Sequence, residues 1–400
     1  MMRDRLPRLD RRSLLRLAAA TGGAAALAPL MAPGIAFAQA PTDRRLVLLI
    51  LRGGMDGLSA VPPVGDPHYA ALRPDLRIAD PGSPGGALPL DALFGLHPSL
   101  DGLMPFYERG ELAVLHAIAT PYRERSHFDG QNLLENGTTA PFGADDGWLN
   151  RAISLFDGSA DEAGIAISQA LPLIMSGDVS VASWYPTIAP APDRELLDRL
   201  LTIYDDAPLY RDMLQAGIDA QDIAGTESGG RSTTDLARST ANFLAAETGP
   251  RVAVMELGGW DTHANQGTDD GALANALGDL NTALTTLADG LSGVWDRTAI
   301  LAVTEFGRTA AQNGTGGTDH GTASAAFAMG GAVDGGRVIA EWPGLRAGDL
   351  FEGRDLAPTQ DMHGLFKAAL VDHLGLPASA VDKTVFPDSR DIRLPSRLIL

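Results

Sequence analysis

Leu46-Val47-Leu48-Leu49-Ile50-Leu51, followed at once by Arg52-Gly53-Gly54-Met55-Asp56-Gly57, decides the fold class. Six apolar residues without alternation describe a strand buried on both faces, the habit of parallel sheets, and the glycines mark a sharp turn at its carboxyl end. The pattern returns twice: residues 252–257 run into Gly258-Gly259-Trp260-Asp261, and residues 299–304 into Glu305-Phe306-Gly307-Arg308. Between them, leucines and alanines recur at three- and four-residue spacing over 195–217, 234–247 and 272–295, which predicts helices. Alternating strands and helices give a three-layer α/β fold, a mainly parallel sheet with helices on both faces. Residues 225–234, rich in Gly, Ser and Thr, read as a loop, and 74–89 as an irregular excursion; no internal repeat is visible.

Composition narrows the function. The chain carries 31 basic against 50 acidic residues, net −19, and its only lysines are Lys367 and Lys383. No basic run tracks phosphates, so nucleic acid is excluded as an expected partner. There is no cysteine. Disulfides, thiol catalysis and thiolate metal sites are therefore excluded, and stability must come from a sizeable core, which 45% hydrophobic content allows.

The amino terminus reads as a leader. Arg11-Arg12 precede an Ala/Leu-rich stretch that continues to about Leu30, and Ala36-Phe37-Ala38 offers the small residues a signal peptidase reads, with the cut before Gln39. The expectation is a twin-arginine signal over 1–38, a periplasmic or secreted mature protein, and a single α/β domain over 39–400 with a loop near 220–235. The apolar run falls short of the ~20 residues a bilayer needs, so no stable membrane span is expected. The twin-arginine route carries folded proteins, often with a metal in place.

In parallel sheets the ligand sits beyond the carboxyl ends of the strands, where polar residues converge. Asp56, Asp261 with His263, and Glu305 follow the three strands; Ser126 and His127 lie in RERSHFDGQN, and Asp319-His320 in GTGGTDHGT. Carboxylates and imidazoles gathered in this way suit a divalent metal, imidazole favouring zinc. Other uses are open to several of them. Asp56 could cap a helix or hold a turn, Glu305 could pair with Arg308, and the Ser126-His127 stretch could be a polar loop. His68, His97, His116, His363 and His373 lack such context and read as structural or surface residues. Neither a GxSxG elbow nor an HExxH helix is present, and the glycines at 314, 316 and 317 do not make a dinucleotide site.

Taken together, LILRGGMDGLSAV, HFDGQNLLENG, GWLNRA, ELGGWDTHANQ, VTEFGRT, GTDHGTASAAFAMGGAVDGG and DLAPTQDMHGLF resemble the exported bacterial family grouped as domain of unknown function 1501, within the alkaline phosphatase and sulfatase superfamily. The resemblance spans nearly the whole chain after the leader and implies an alkaline-phosphatase-like fold. It places Asp56 where an aspartate bridges toward a metal, His263 at the histidine ending an Asp-x-x-x-His motif whose aspartate falls near Gly259, with Asp261 as a substitute, and His320 at the last metal histidine. The superfamily's Asp-His pair becomes Glu305-Phe306, and its nucleophile falls near Ser126. Typical sulfatase chemistry is absent, since there is neither cysteine nor a Ser-x-Pro-x-Arg motif.

The resulting expectation is a hydrolase of phosphate or related esters using one or two divalent metals. Asp56, Asp261, His263, Glu305, Asp319 and His320 are the candidate ligands. Ser126 or His127 attacks or shuttles a proton, and Arg308 or Arg52 steadies a small anionic ester. The competing expectation is a non-catalytic extracytoplasmic protein that keeps the fold as a binding or assembly module, for instance for surface material.

Overall fold

The computed structural model describes residues 42–156, 163–186, 192–225, 230–387, 389–394 and 396–400. The leader and its cleavage point lie outside the described residues.

Nine strands form one sheet. In chain order they are β1 (Arg45–Leu51), β2 (Leu112–Ala119), β3 (Gly164–Ile167), β4 (Ala182–Trp184), β5 (Val252–Leu257), β6 (Thr298–Val303), β7 (Ser324–Met329), β8 (Arg337–Ile339) and β9 (Gln360–Asp361). Their spatial order is β8-β2-β7-β6-β1-β5-β3-β4, with β9 also pairing β2. Every pairing is parallel except those of β7, which runs antiparallel to both β2 and β6.

Strand β1 explains the layering. Its side chains alternate between two separate cores: Val47, Leu49 and Leu51 pack with Leu277, Leu280 and Phe243, whereas Leu46, Leu48 and Ile50 pack with Trp148 and Phe366. The first core lies under α5 (Thr233–Ala245) and α6 (Ala272–Gly290), and the second under α2 (Trp148–Ile153) and α7 (Met362–Lys367). A strand apolar at every position from Leu46 to Leu51 has to be covered twice. The three-layer α/β arrangement follows, as expected from the 46–51 run.

Register brings the site to one edge. Leu51 lies opposite Leu257, and Ile50 opposite Val303, so β1, β5 and β6 end together. Because β7 is antiparallel and Ser324 faces Ile118 of β2, the chain entering β7 and the chain leaving β2 meet at that same edge. His320 can thus join the cluster although it precedes its strand.

Two helical expectations are corrected. The 195–217 helix is two helices, α3 (Arg194–Ile203) and α4 (Pro208–Ala224). Pro208 occupies the first turn of α4, where its fixed φ and missing N–H start a helix but cannot continue one. The 272–295 helix stops at Gly290 and continues as a 3-10 turn over Ser292–Arg297. The expected loop near 220–235 is narrower at both ends, since α4 runs to Ala224 and α5 starts at Thr233; residues 226–229 lie outside the described residues. Among the described residues, no helix is long and apolar enough to cross a membrane.

Candidate metal and anion site

The loops after β1, β5 and β6 touch because glycines let their backbones approach. Gly53 has φ +125°, and a Cβ there would sit 2.8 Å from the Asp261 nitrogen; a Cβ on Gly317 would lie 2.4 Å from the His263 carbonyl. No other residue type fits either position.

Asp261 is the focus. Its Oδ1 accepts from Arg308 Nη2 at 2.9 Å and lies 3.0 Å from His263 Nε2, 3.2 Å from His320 Nε2 and 3.4 Å from His127 Nε2. His127, Asp261 and His320 each offer a ligand atom within 4.8 Å of the others, and His263 Nε2 is 2.9 Å from His320 Nε2. Burial pulls the Asp261 carboxyl upward, but the Arg308 charge and the neighbouring imidazoles outweigh it and leave it below its ordinary value.

Each imidazole is oriented by a partner behind it. His127 Nδ1 is 2.8 Å from Glu305 Oε1, His320 Nδ1 is 2.8 Å from the Arg125 carbonyl, and His263 Nδ1 is 3.2 Å from Asp319 Oδ1. Carbonyl and carboxylate oxygens accept only, so a proton on Nδ1 satisfies each of these three contacts, and the ring so protonated leaves an Nε2 lone pair facing Asp261. Among the described residues, His127 Nε2 is buried with no hydrogen-bond partner. The hydrogen bond to Glu305 raises the His127 pKa, whereas burial lowers that of His320.

Glu305, fully buried, sits behind the cluster. Its Oε1 also accepts from Gly53 N and Gln131 Nε2, and its Oε2 from Thr304 Oγ1. Burial alone would raise its pKa, but the bond from His127 and the backbone donors outweigh that and keep the carboxyl low. It supports His127, and Arg308 goes to Asp261 instead. Arg308 is itself buried, and its Nε and Nη1 have no acceptor among the described residues.

Asp56 stands apart. It is buried and takes a bidentate grip from Arg73, Nη2 to Oδ1 at 2.9 Å and Nη1 to Oδ2, and it accepts from Ser59 Oγ and Gln266 Nε2 at 2.9 and 2.7 Å. It precedes a short helix, Gly57–Ala60, without a side-chain cap bond to it. Gln266 Oε1 in turn accepts from Thr262 and Thr318, which ties the loops carrying His263 and His320 to the Asp56 network. Ser126 is the N-cap of α1 (His127–Asn136), its Oγ accepting from Asp129 N at 3.5 Å. Arg52 is held by Glu135 at 2.9 Å and by Glu256.

Sequence reasoning passed over Arg73, Gln266, Gln131, Arg125 and Asp355. Arg125 sits at φ +62°, and its guanidinium is anchored by Asp355 at 2.8 Å, which fixes the carbonyl that holds His320. The signals were faint. Gln266 follows ELGGWDTHAN directly, and Asp355 opens DLAPTQD.

The model of a protein of unknown function, DUF1501, matches residues 116–385. No curated protein matches. Among solved structures, the C-terminal periplasmic domain of EcEptC from Escherichia coli, in complex with Zn, is 10% identical with a TM-score of 0.41, covering 90% of this chain and 92% of that one. The phosphonate monoester hydrolase of Agrobacterium radiobacter is 12% identical at 0.37, covering 84% and 74%. The alkaline phosphatase from the Antarctic bacterium TAB5 is 12% identical at 0.35, covering 72% and 91%. The chemistry of this chain must come from its own residues.

Proposed function

The chain belongs to the DUF1501 family, and from that premise we propose that it is an exported, metal-dependent hydrolase of phosphate or related esters. The observation that carries the proposal is the set of three imidazoles turned Nε2-first toward one carboxylate oxygen. Acceptor nitrogens 2.9 Å apart have no proton to share when both rings are protonated at Nδ1. A positive charge among them removes the conflict.

The donor set fits a divalent cation. Ligand atoms on a tetrahedron with bonds of ~2.1 Å are separated by about 3.4 Å, close to the 3.0–3.4 Å between Asp261 Oδ1 and the three nitrogens; His127, Asp261 and His320 form the group with all ligand atoms within 4.8 Å, and His263 adjoins it beside His320. Imidazole with carboxylate favours zinc. The outer acceptors, Glu305, Asp319 and the Arg125 carbonyl, complete the second layer such ligands need. His127, His263, His320 and Asp261 are the proposed ligands, with Glu305 and Asp319 behind them and Asp56 left to Arg73. Bound there, a divalent cation would supply Lewis acidity toward the ester and a lowered pKa for attacking water.

The protein's own part is binding and orientation. Arg308, buried and with its Nε and Nη1 lacking acceptors among the described residues, supplies the anion-binding charge. Its Nη2 also fixes Asp261. Ser126 keeps its hydroxyl on the first turn of α1 and in this reading fixes His127 rather than attacking. The leader over 1–38 would deliver residues 39–400, as one folded unit, to the periplasm or beyond.

The test uses protein exported in its native host. Metal should be near stoichiometric, and His263→Ala with His320→Ala should release it and lower the melting temperature, because a ligand bound to the folded state alone stabilises it. Turnover of phosphomonoesters, phosphodiesters or sulfate esters should disappear with the same replacements. Bound metal without turnover on any ester would favour a binding or assembly module, the reading that Asp56's engagement by Arg73 supports. A metal-free protein indifferent to both replacements would overturn the site.

A further inference from the structure

Both ring nitrogens of His320 face an acceptor. Nδ1 lies 2.8 Å from the Arg125 carbonyl, whereas Nε2 lies 3.2 Å from Asp261 Oδ1 and 2.9 Å from His263 Nε2. A neutral imidazole has one proton to give, and a charged carboxylate is a stronger acceptor than a carbonyl. Left to that competition, the proton goes to Nε2 and closes the nitrogen that could hold a cation beside Asp261. The carbonyl prevails only where it is held close and in line.

Arg125 lies between β2 and α1 at φ +62°, a conformation that a residue with a side chain keeps only where its surroundings impose it. Those surroundings belong to the loop between β8 and β9, 230 positions along the chain: Arg125 Nε donates to Asp355 Oδ2 at 2.8 Å, and its Nη2 to Glu352. Asp355 is fully buried, and its other oxygen accepts from Arg354 Nη1 at 3.1 Å. Its backbone is closed on Phe351 by two hydrogen bonds, of 2.9 and 3.0 Å, and Ala310 N donates to the Arg354 carbonyl at 3.1 Å. A carboxylate fixed in this way does not follow Arg125; the arginine is drawn to it.

We propose that Asp355 is a positioning residue. By gripping the Arg125 guanidinium it aims the Arg125 carbonyl at His320 Nδ1 and keeps the proton of His320 off the nitrogen that faces Asp261. The use made of that nitrogen, a bond to a divalent cation, rests on the hydrolase reading above; the position of the proton does not. Glu305 and Asp319 orient His127 and His263 directly. At His320 a carboxylate does the same work at one remove, through a backbone atom.

The experiment locates the proton. The full exported chain, stripped of metal and labelled with heavy nitrogen in its histidine rings, is read by NMR at about pH 9, above the titration of ordinary imidazoles near ~6.5. His320 is identified as the signal missing from His320→Ala. It should carry its proton on Nδ1, and in Asp355→Asn a measurable fraction of molecules should carry it on Nε2. Zinc titration should show binding weakened about 10- to 100-fold by Asp355→Asn, the loss typical of outer partners of ligating histidines. Asp66→Asn is the control. This buried carboxylate accepts from Trp342 Nε1 at 2.9 Å and from Leu345 N at 3.2 Å, and its loss should lower the melting temperature without moving the proton or the zinc affinity. Where Asp355→Asn does not fold, Arg125→Met, which leaves Asp355 to Arg354, is read in the same assays with the same expectations. A His320 ring protonated on Nε2 in the unaltered chain, a proton that stays on Nδ1 in the variant, or, where zinc binds, a loss no greater than that of Asp66→Asn, each overturns the positioning role. A proton that moves as expected in a chain that binds no zinc supports the role of Asp355 and overturns the metal-dependent reading instead.

Discussion

Asp56 and Asp261 follow glycine turns at the ends of adjacent parallel strands, yet they inhabit different regions. Asp56 lies in a closed region, with Arg73, Ser59 and Gln266 supplying its donors and no face left for a ligand. Asp261 lies in an open one, its side chain 47% exposed, with one arginine donor and three imidazoles that want a cation. The difference is whether the fold itself supplies the countercharge. Where it does, the carboxylate becomes scaffold; where it does so only in part, the remaining charge is available for chemistry.

The largest effect should come from breaking the closed region. Asp56→Ala leaves the Arg73 guanidinium buried without a counter-charge, and removal of one partner from such a pair costs about 3–5 kcal/mol. Denaturant unfolding of metal-free protein should show that loss, and less of it when Arg73→Met is added. Asp261→Ala, at a half-exposed position, should cost about 1 kcal/mol or less in the same assay. Equal losses for the two aspartates would erase the distinction between the regions.

Acid should strike the closed region next. His116 is fully buried, stacked on Phe94, with Nε2 donating to the Val61 carbonyl at 3.0 Å. Burial pushes its pKa down to about 4, whereas the unfolded imidazole titrates near ~6.5. Below that value the unfolded chain takes up a proton that the folded chain refuses. The stability is complete above about pH 6.5 and falls as the pH drops toward about 4, by about 3 kcal/mol in all. His116→Asn should flatten the slope of stability against pH in that window by about one proton. An unchanged slope would mean that the imidazole takes up its proton alike in the folded and unfolded chains.

These regions were unequally legible in the sequence. The three apolar runs gave the layers, and their shared carboxyl edge gathered Asp261, His263, His127 and His320, because strand ends and glycine turns are local signals. The antiparallel β7 was not read, since 324–329 is as apolar as the parallel strands and direction is set by partners. Asp56 and Asp261 could not be told apart. The decisive residue is Arg73, a partner 17 positions from Asp56 in a stretch without periodicity, and long-range ion pairs leave no local pattern. The Arg125 carbonyl was equally hidden, because a backbone atom that orients a histidine has no residue type of its own.

The finest test lies inside the open region, where two carboxylates do the same job at different depths. Glu305 holds His127 from a fully buried position, with three donors on one oxygen; Asp319 holds His263 with a side chain 52% exposed. Asn313 Nδ2, at 3.1 Å, keeps the Asp319 carboxyl low, and this donor would remain when the carboxylate is gone. Glu305→Gln can still turn its amide oxygen toward the three donors, but it removes the negative charge behind His127 at a position buried from solvent. Loss of such an outer partner weakens metal binding by about 10- to 100-fold. At Asp319→Asn the amide oxygen or solvent can still accept from His263 Nδ1, so the loss should stay at or below about tenfold. Zinc titration of metal-stripped protein measures both. If Asp319→Asn weakens binding as much as Glu305→Gln does, depth is not what makes an outer carboxylate matter here, and the contrast drawn from Asp56 and Asp261 does not extend into the site.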